Sequence, residues 1–345
     1  MENNNELKIL AIETSCDETA AAVLFGDKIK SNIVYSQLKL HQKTGGVVPE
    51  VASRAHIEKI IPVIKEALSV AKVSPLQIDF IAVTVRPGLI GSLLVGVDTA
   101  KTLAYVFKKP VVPINHIEAH IYANFIGQEP IFPAVALVVS GGHTSLILMR
   151  GHGNYKLLGS TLDDAAGEAF DKVANILGLG YPGGPAVAAA AAKLPITNYQ
   201  LPITLPRPMI DSDDFNFSLS GLKTAVLYKV KKLPADSCQP TAAIAAEFQK
   251  AVVDVLVSKT IKAGRKYSAK SILLGGGVAA NKLLRKQLKS AVKKELPNSL
   301  FLIPDSSFCT DNAVMIGLCA YYKYFSDKNN LKNWQEIKIN LNPKL

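Results

Sequence analysis

A unit of strand, polar turn and returning strand occurs twice in this sequence, about 130 residues apart. In the first copy an apolar strand at residues 7–12 leads through a polar turn into a strand at 19–25. In the second, strands at 134–139 and 144–149 flank a turn at 140–143. Alternating helices and strands follow each copy. Repetition of a whole supersecondary unit predicts two similar lobes, and hairpins among alternating elements predict an α/β fold with mixed sheets.

The chain length agrees with two lobes, because 345 residues exceed what one hydrophobic core usually organises. We place the first lobe at residues 1–130 and the second at 131–345, with the C-terminal helix packing back on the first. The remaining patterns predict strands at 77–85, 110–114, 271–274 and 300–303, helices at 50–72, 93–107, 164–177, 242–263, 281–294 and 311–325, and a loop at 195–220. In the helix at 50–72 one apolar face is formed by Ile57, Ile60, Ile61, Ile64 and Leu68.

Composition narrows the class of protein. A hydrophobic content of 48% and a mean hydropathy of +0.20 are typical of a packed globular chain, and no apolar run approaches the ~20 residues of a membrane span. The polar first six residues do not match a signal peptide, so we expect a cytoplasmic protein with no membrane partner. Four cysteines without a Cys-x-x-Cys pair predict reduced thiols. The net charge of +11 favours a polyanionic partner.

Two histidines provide the first candidate for chemistry. Asn115 follows an apolar strand and is a plausible helix N-cap, and His116 and His120 then lie four residues apart on one helical face. Two imidazoles so placed can bind one transition metal ion, although a capping or core-edge pair has the same spacing. A zinc-protease helix would carry a glutamate directly after the first histidine. Ile117 stands there, and Glu118 points about 200° away from the pair.

Other polar residues each have a structural and a chemical interpretation. Asp311 is a candidate third metal ligand, or the N-cap of the last helix. Asp171 is a candidate ligand contact or a solvated acid on its helix, and Asn281 is a ligand contact or an N-cap. Glycine-bearing turns at 88–92, 140–143, 178–184 and 275–277 could each bring backbone N–H groups to a phosphate, or be simple tight turns. A basic face is also present, formed by Lys282, Arg285, Lys286, Lys289, Lys293 and Lys294.

Nine motifs occur together and in order along the chain. They are Ile-Glu-Thr-Ser-Cys-Asp-Glu-Thr at 12–19, Val-Pro-Glu-Val-Ala-Ser-Arg at 48–54, His-Ile-Glu-Ala-His at 116–120, Val-Ser-Gly-Gly-His-Thr at 139–144, Glu-Ala-Phe-Asp-Lys at 168–172, Tyr-Pro-Gly-Gly-Pro at 181–185, Phe-Ser-Leu-Ser-Gly-Leu-Lys-Thr-Ala at 217–225, Gly-Gly-Gly-Val-Ala-Ala-Asn at 275–281 and Thr-Asp-Asn-Ala at 310–313. In this order they resemble the tRNA N(6)-adenosine threonylcarbamoyltransferase family, once described as sialoglycoprotein endopeptidases.

The resemblance implies an actin/sugar-kinase/Hsp70-like fold and transfer of the threonylcarbamoyl group of threonylcarbamoyl-AMP to the N(6) amine of the adenosine beside the tRNA anticodon. It implies one divalent metal ion, iron in preference to zinc, held by His116, His120 and Asp311. It also implies an inactive paralogue subunit and a P-loop ATPase as partners. The substrate contacts carried over from the family are Val138, Val139, Ser140, Gly141, Gly142, Asp171, Gly184 and Asn281. Glu13 is our candidate for accepting a proton or ordering the site.

The chain departs from the family pattern at two positions. Arg86 stands where the family usually has glycine, and Ala188 where it often has an acid that contacts the nucleoside. We consider three other functions, namely a small-molecule kinase on the same fold, a metallopeptidase and a non-catalytic nucleotide-binding scaffold. The histidine pair disfavours the scaffold, and Ile117 disfavours the peptidase. Our expectation is that the imidazole pair from one lobe and the carboxylate from the other converge on one ion.

Overall fold

The computed structural model describes residues 6–193, 203–231 and 238–340, and for residues 238–240 only the backbone. Residues 1–5 of the polar N-terminal stretch and residues 195–202 of the predicted loop lie outside the described residues. The strands are Lys8–Glu13 (β1), Glu18–Phe25 (β2), Lys28–Ser36 (β3), Phe80–Arg86 (β4), Val111–Asn115 (β5), Ala134–Val139 (β6), Thr144–Gly151 (β7), Asn154–Ser160 (β8), Ser271–Gly275 (β9) and Leu300–Leu302 (β10). The helices are Leu38–His41 (α1), Pro49–Ala71 (α2), Ile90–Phe107 (α3), His116–Tyr122 (α4), Ala166–Ile176 (α5), Gly183–Ala192 (α6), Ser220–Lys231 (α7), Cys238–Lys266 (α8), Lys282–Glu295 (α9) and Ala313–Ser326 (α10).

The two sheets have the same topology. The first runs in the order β3-β2-β1-β4-β5 and the second in the order β8-β7-β6-β9-β10. In each, the first three strands pair antiparallel and the last two are parallel additions. Strand for strand, the second sheet therefore repeats the first. This confirms the α/β fold with mixed sheets and the internal duplication that the sequence predicts.

The chain divides into two compact units. Unit 1 comprises residues 1–129 and 307–345, and unit 2 comprises residues 130–306. From the sequence we assigned residues 131–345 to the second lobe and expected only the C-terminal helix to pack on the first. In the structure, residues 307–345 belong to unit 1. In unit 1, Leu10 and Ile12 of β1 pack into the core formed with α2 and α3. The opposite face of the sheet meets α10, because a Cβ on Gly317 would lie 2.4 Å from Leu24 and 3.3 Å from Ala11.

Helix α3 has the length and composition of a membrane span, and among the described residues no other helix does. One such helix is weak evidence, since a core helix of a globular unit passes the same test. Val97, Ala100 and Ala104 of α3 belong to the hydrophobic core of unit 1. Only 33% of the helix is buried, so packing in the core accounts for one face of α3 and leaves the other face exposed.

Several element boundaries differ from prediction for identifiable reasons. Pro75–Gln77 forms a short 3-10 turn, so β4 begins at Phe80 instead of residue 77. Helix α6 begins at Gly183, inside the predicted glycine loop, because the alanine run that follows favours helix. Only part of the predicted apolar face of α2 lies in the core. Ile60, Ile64 and Leu68 are buried, whereas Ile57 and Ile61 are exposed.

Gly276 allows β6 and β9 to approach each other at their carboxyl ends. Its φ is +90°, and a Cβ there would lie 2.2 Å from the carbonyl oxygen of Val139. We expect Gly276→Ala to destabilise unit 2 by about 1–3 kcal/mol, because both the backbone conformation and the contact with a backbone atom become unfavourable. Thermal unfolding followed by circular dichroism measures the change.

The neighbouring glycine provides the matched control. A Cβ on Gly277 would meet no atom within 4 Å, and the φ of this residue is not positive. Gly277→Ala should therefore change the free energy of unfolding by no more than about 0.5 kcal/mol. Equal effects at the two positions would contradict the explanation.

Candidate metal centre

Helix α4 presents the histidine pair from a buried position. It begins where β5 ends, and the side chain of Asn115 accepts hydrogen bonds from the N–H groups of Ile117 (2.8 Å) and Glu118 (3.3 Å). The predicted N-cap is thereby confirmed. One helical turn then places the imidazole rings of His116 and His120 4.5 Å apart, centroid to centroid, at 78° to each other. Every residue of α4 is buried, so the rings have little freedom to separate.

Asp311 completes a cluster with the two histidines. Its Oδ1 lies 3.3 Å from Nε2 of His116 and 3.3 Å from Nε2 of His120. The three candidate ligand atoms all lie within 4.8 Å of one another, so the cluster could hold one metal ion. Asp311 does not cap α10. The cap is Asn312, whose side chain accepts the N–H of Met315 at 3.1 Å.

All three ligand candidates belong to unit 1. Asp311 reaches it because residues 307–345 pack with the first part of the chain. Our expectation that the carboxylate comes from the other lobe is therefore wrong, although the three side chains do converge. The physical reason is that α10 covers the open face of the first sheet, and this brings the residues just before α10 to the same unit.

The second nitrogen of His116 is held by a buried carboxylate. Its Nδ1 lies 3.0 Å from Oε2 of Glu13 and 3.1 Å from Oγ of Ser15. Glu13 is fully buried and also accepts a hydrogen bond from Thr84 Oγ1 at 2.6 Å. Because a carboxylate can only accept, His116 donates through Nδ1, and its neutral form then keeps a lone pair on Nε2.

His120 shows that the cluster suits a cation. The residue is fully buried, and neither of its ring nitrogens has a hydrogen-bond partner among the described residues. Its Nε2 is near Asp311 but is not aligned with it as a hydrogen bond. An unsatisfied buried polar atom costs about 1–3 kcal/mol, and an ion bound at Nε2 would remove that cost. Two imidazoles and a carboxylate are suitable ligands for iron or zinc.

The electrostatics of the cluster favour a positive charge at its centre. Burial alone would raise the pKa of Asp311, but the two imidazoles hold it far below its usual range. Burial alone would lower the pKa of His116, but Asp311 and Glu13 raise it well above its usual value. For His120, burial and the neighbouring His116 lower the pKa. A bound cation would balance the charge of the two carboxylates without adding a second proton to either imidazole.

Glu118 lies on the other side of α4, as the sequence indicates. Its Oε2 is 2.7 Å from Nζ of Lys323 on α10, and both side chains are largely buried. The pair ties the histidine helix to α10. Glu118 is therefore not placed to act as the general base of a zinc peptidase, which agrees with the absence of that motif.

Some backbone groups of the glycine turn after β6 are already used in hydrogen bonds within unit 2. The N–H of Ser140 donates to the carbonyl of His143 at 2.8 Å, so this group is not available to a phosphate. The carbonyls of Ser140 and Gly141 accept the N–H groups of Gly167 and Glu168 at the start of α5, each at 3.1 Å. Gly141 and Gly142 are exposed, and a Cβ on either would meet nothing within 4 Å. Open space for a ligand therefore lies at these two glycines.

Of the other predicted contacts of unit 2, Asp171 and Asn281 make hydrogen bonds that support the local structure. Asp171 accepts the N–H of Gly183 at 2.7 Å, where α6 begins. Asn281 caps α9, accepting the N–H groups of Leu283 and Leu284, and donates to Gln249 at 2.8 Å. Val138 and Val139 are buried in β6, and Gly184 has open space beside it. Ligand roles for these five residues stay predictions.

Two departures from the family pattern lie in ordinary positions. Arg86 is the last residue of β4 and pairs in register with Asn115, just before the histidine helix. Ala188 is half-buried within α6.

The sequence does not indicate three residues that hold the ligand helix or its partners in place. They are Ser15, Thr84 and Lys323, and no spacing along the chain relates them to His116 or Glu118.

A family model and the curated relatives of this chain carry the same family name. Residues 28–318 match the family model described as tRNA N6-adenosine threonylcarbamoyltransferase. A protein of that name from Syntrophomonas wolfei is 51% identical over 342 residues, which cover 99% of this chain and 98% of the relative. Another from Geobacillus kaustophilus is 48% identical, covering 100% of this chain and 98% of the relative.

Solved structures with low sequence identity share the fold. HypF of T. kodakarensis matches with a TM-score of 0.63 at 14% identity, covering 95% of this chain and 49% of that one. Component A of the (R)-2-hydroxyglutaryl-CoA dehydratase of Acidaminococcus fermentans matches with a TM-score of 0.53 at 15% identity, covering 92% and 98%. At such identities the likeness extends to the fold alone, and it confirms the predicted actin/sugar-kinase/Hsp70-like class.

Proposed function

The chain belongs to the tRNA N6-adenosine threonylcarbamoyltransferase family, and from that membership we propose that it transfers the threonylcarbamoyl group of threonylcarbamoyl-AMP to the N(6) amine of the adenosine adjacent to the anticodon. The tRNAs concerned are those that read codons beginning with adenine. The observation that carries the proposal is the buried cluster of His116, His120 and Asp311. No second function is favoured by a specific observation.

The chemistry needs positioning more than a nucleophilic side chain. The adenylate is a mixed anhydride and is already activated, so the attacking group is the adenine amine itself. Because that amine is a poor nucleophile, much of the rate should come from holding it beside the carbonyl carbon. A metal ion bound by His116, His120 and Asp311, iron in preference to zinc, would act as a Lewis acid for phosphate or carbonyl oxygens.

The chain's own residues then have distinct roles. Glu13 holds His116 through Nδ1 and so directs Nε2 toward the ion, which makes it a positioning residue. Its burial and its bonds to His116 and Thr84 weigh against our other suggestion, that it accepts the substrate proton. Burial would raise the pKa of Glu13, but His116 lowers it overall, so the carboxylate stays ionised. The open backbone at Gly141 and Gly142 is our candidate for contacting the phosphate.

The partners implied by the family are an inactive paralogue and a P-loop ATPase, in the cytoplasm. Support for a protein partner comes from the outer surfaces of α2 and α3. Ile57 and Ile61 of α2 and Ile90 and Leu94 of α3 are large apolar residues, each between 45% and 64% exposed. Scattered exposed apolar residues are normal, but this group lies on two helices that pack on each other. We propose this surface as the one that the paralogue covers.

The proposed function is tested by depletion. We expect cells depleted of this protein to lose threonylcarbamoyladenosine from their tRNA, as measured by mass spectrometry of tRNA nucleosides, and to regain it when the wild-type chain is restored. Unchanged levels of the modified nucleoside after complete depletion would rule the function out.

Replacement of Glu13 tests the role of the carboxylate behind His116. Glu13→Gln keeps the size of the side chain but removes its charge, so His116 is held less firmly in the metal-binding tautomer. We expect metal affinity to fall by about 10–100-fold, the usual effect of losing such a partner. Competition with a chelator of known affinity measures it. Glu58→Gln changes an exposed carboxylate of α2 in the same unit, so the metal affinity of that variant should fall far less.

A further inference from the structure

A row of lysines runs along the outer face of α9. Lys282, Lys286, Lys289 and Lys293 are spaced by four, three and four residues, and all four are exposed. At 100° per residue they fall within an arc of about 60°, and the row is about 16 Å long. Buried on the other side of the helix are Leu284, Leu288 and Val292. The amphipathic pattern therefore fixes the row on the surface of unit 2.

The four ammonium groups are not neutralised by neighbouring carboxylates. None of them forms an ion pair within the part of the chain that the structure describes, whereas Lys172 and Lys250 each bond to an acid. The acid at the end of α9, Glu295, pairs with Arg265 of α8. Like charges three and four residues apart destabilise a helix by a few tenths of a kcal/mol per pair. The row thus presents four available positive charges at some cost to the helix.

Arg285 is not part of this surface. Its Nε donates to the carbonyl of Ala279 at 2.7 Å, and its Nη2 donates to the carbonyl of Pro304 at 2.8 Å. The groove of about 660 Å³ between α8 and α9 is also a different feature. Its cations share it with Asp254 and Glu295, which leaves it close to neutral. Four of the five lysines of α9 lie in the outer row, and none of the four forms an ion pair among the described residues.

The composition of the row indicates the kind of partner. Protein interfaces usually centre on aromatic or other apolar residues, and lysine is depleted from them. Helix α9 contains no aromatic residue, and the leucines and valine of its apolar face are already buried. Lysine side chains act as mobile point charges that suit phosphates, without reading base identity. A polyanionic backbone fits this surface better than an acidic protein does.

We propose that Lys282, Lys286, Lys289 and Lys293 bind backbone phosphates of the tRNA substrate. This assignment rests on the proposed function for the identity of the RNA. It adds a contact surface that positions the tRNA independently of its sequence. Double-stranded RNA is recognised mainly through shape and phosphate contacts, which a straight row of cations can supply.

The test compares two quadruple variants of the full chain. One changes the row, as Lys282→Gln, Lys286→Gln, Lys289→Gln and Lys293→Gln. The control removes the same charge from exposed lysines elsewhere that form no ion pair among the described residues, as Lys39→Gln, Lys43→Gln, Lys65→Gln and Lys156→Gln. Binding of unmodified tRNA is measured by filter retention between about 50 and 200 mM KCl, at the same pH for every protein. Thermal unfolding of each variant checks that the fold is kept.

For the row variant we expect the slope of log K against log salt to become shallower by about 3, because each phosphate contact contributes about 0.7–0.9. Affinity should fall by roughly tenfold or more, and equally for different tRNAs. In the transfer reaction KM for tRNA should rise while kcat at saturating tRNA is kept. The control should retain most of the wild-type slope.

The assignment is wrong if the salt slope and tRNA affinity of the row variant match those of the control. It is also wrong if the wild-type chain does not bind tRNA at about 50 mM salt. A row variant that binds tRNA normally but no longer binds an acidic protein partner would contradict it as well. Failure of the proposed function looks different. In that case depletion leaves the tRNA nucleosides unchanged, whatever the salt dependence of binding.

Discussion

Asp311→Ala is expected to abolish both metal binding and transfer activity while leaving unit 1 folded. Asp311 supplies the only negative charge among the three ligand candidates and lies 3.3 Å from both imidazoles. Its loss leaves two neutral nitrogens, too few for a stable site. We expect metal affinity and the rate of threonylcarbamoyl transfer each to fall by more than about 100-fold. Metal content after purification and mass spectrometry of modified tRNA measure the two effects separately.

A surface carboxylate of the same unit is the control. Asp98 is exposed on α3, so Asp98→Ala should keep the wild-type metal content. The sole tryptophan of the chain, Trp334, lies in unit 1 against Tyr105, and its fluorescence reports whether that unit is folded. A folded Asp311→Ala chain with full metal content and full activity would refute the metal-centre assignment.

Lys323→Met is expected to cause the largest loss of stability. The change leaves the carboxylate of Glu118 buried without its cation, and Oε1 of that carboxylate already has no hydrogen-bond partner among the described residues. Removal of one partner from a buried ion pair typically costs about 3–5 kcal/mol. Urea unfolding followed by Trp334 fluorescence measures the loss in unit 1. Because Glu118 lies on α4, the positions of His116 and His120 should also loosen.

An exposed ion pair of the same unit gives the comparison. Arg54 and Glu50 are one turn apart on α2, and their side chains are about three-quarters exposed. Arg54→Met should cost no more than about 1 kcal/mol. Addition of Glu118→Gln to Lys323→Met should restore part of the stability, since no buried charge then remains. If Lys323→Met and Arg54→Met have equal effects, the buried pair does not hold α4 to α10.

Local features of the site could be predicted from the sequence because they depend on neighbouring residues. The cap at Asn115 and the spacing of His116 and His120 follow from rules that span a single helical turn. Glu118 was correctly expected to face away for the same reason. The repeated hairpins likewise indicated two sheets of the same topology, since the repeat is visible as a pattern of apolar runs.

Features that depend on distant packing could not be derived in this way. Asp311 lies almost two hundred residues beyond His116, and no local rule decides between a metal ligand and an N-cap for it; the family resemblance favours the ligand. Whether a carboxylate is buried is decided by what covers it, so Glu13 was suggested as a proton acceptor as well as an ordering group. Helical periodicity grouped Ile57 and Ile61 with Ile60 and Ile64, because it cannot tell a core-facing stripe from one that continues onto the surface.

Unit 1 is interrupted in the sequence, and this has a consequence for how the protein is made. The ribosome must synthesise residues 130–306 after the histidine helix and before Asp311 and α10. At about 5–20 residues per second that interval lasts roughly ten to thirty-five seconds. Throughout it, Ala11 and Leu24 on the first sheet have no helix above them, and a nascent chain in that state offers a binding site for chaperones. The three candidate metal ligands can come together only after residues 130–306 and then Asp311 have been synthesised.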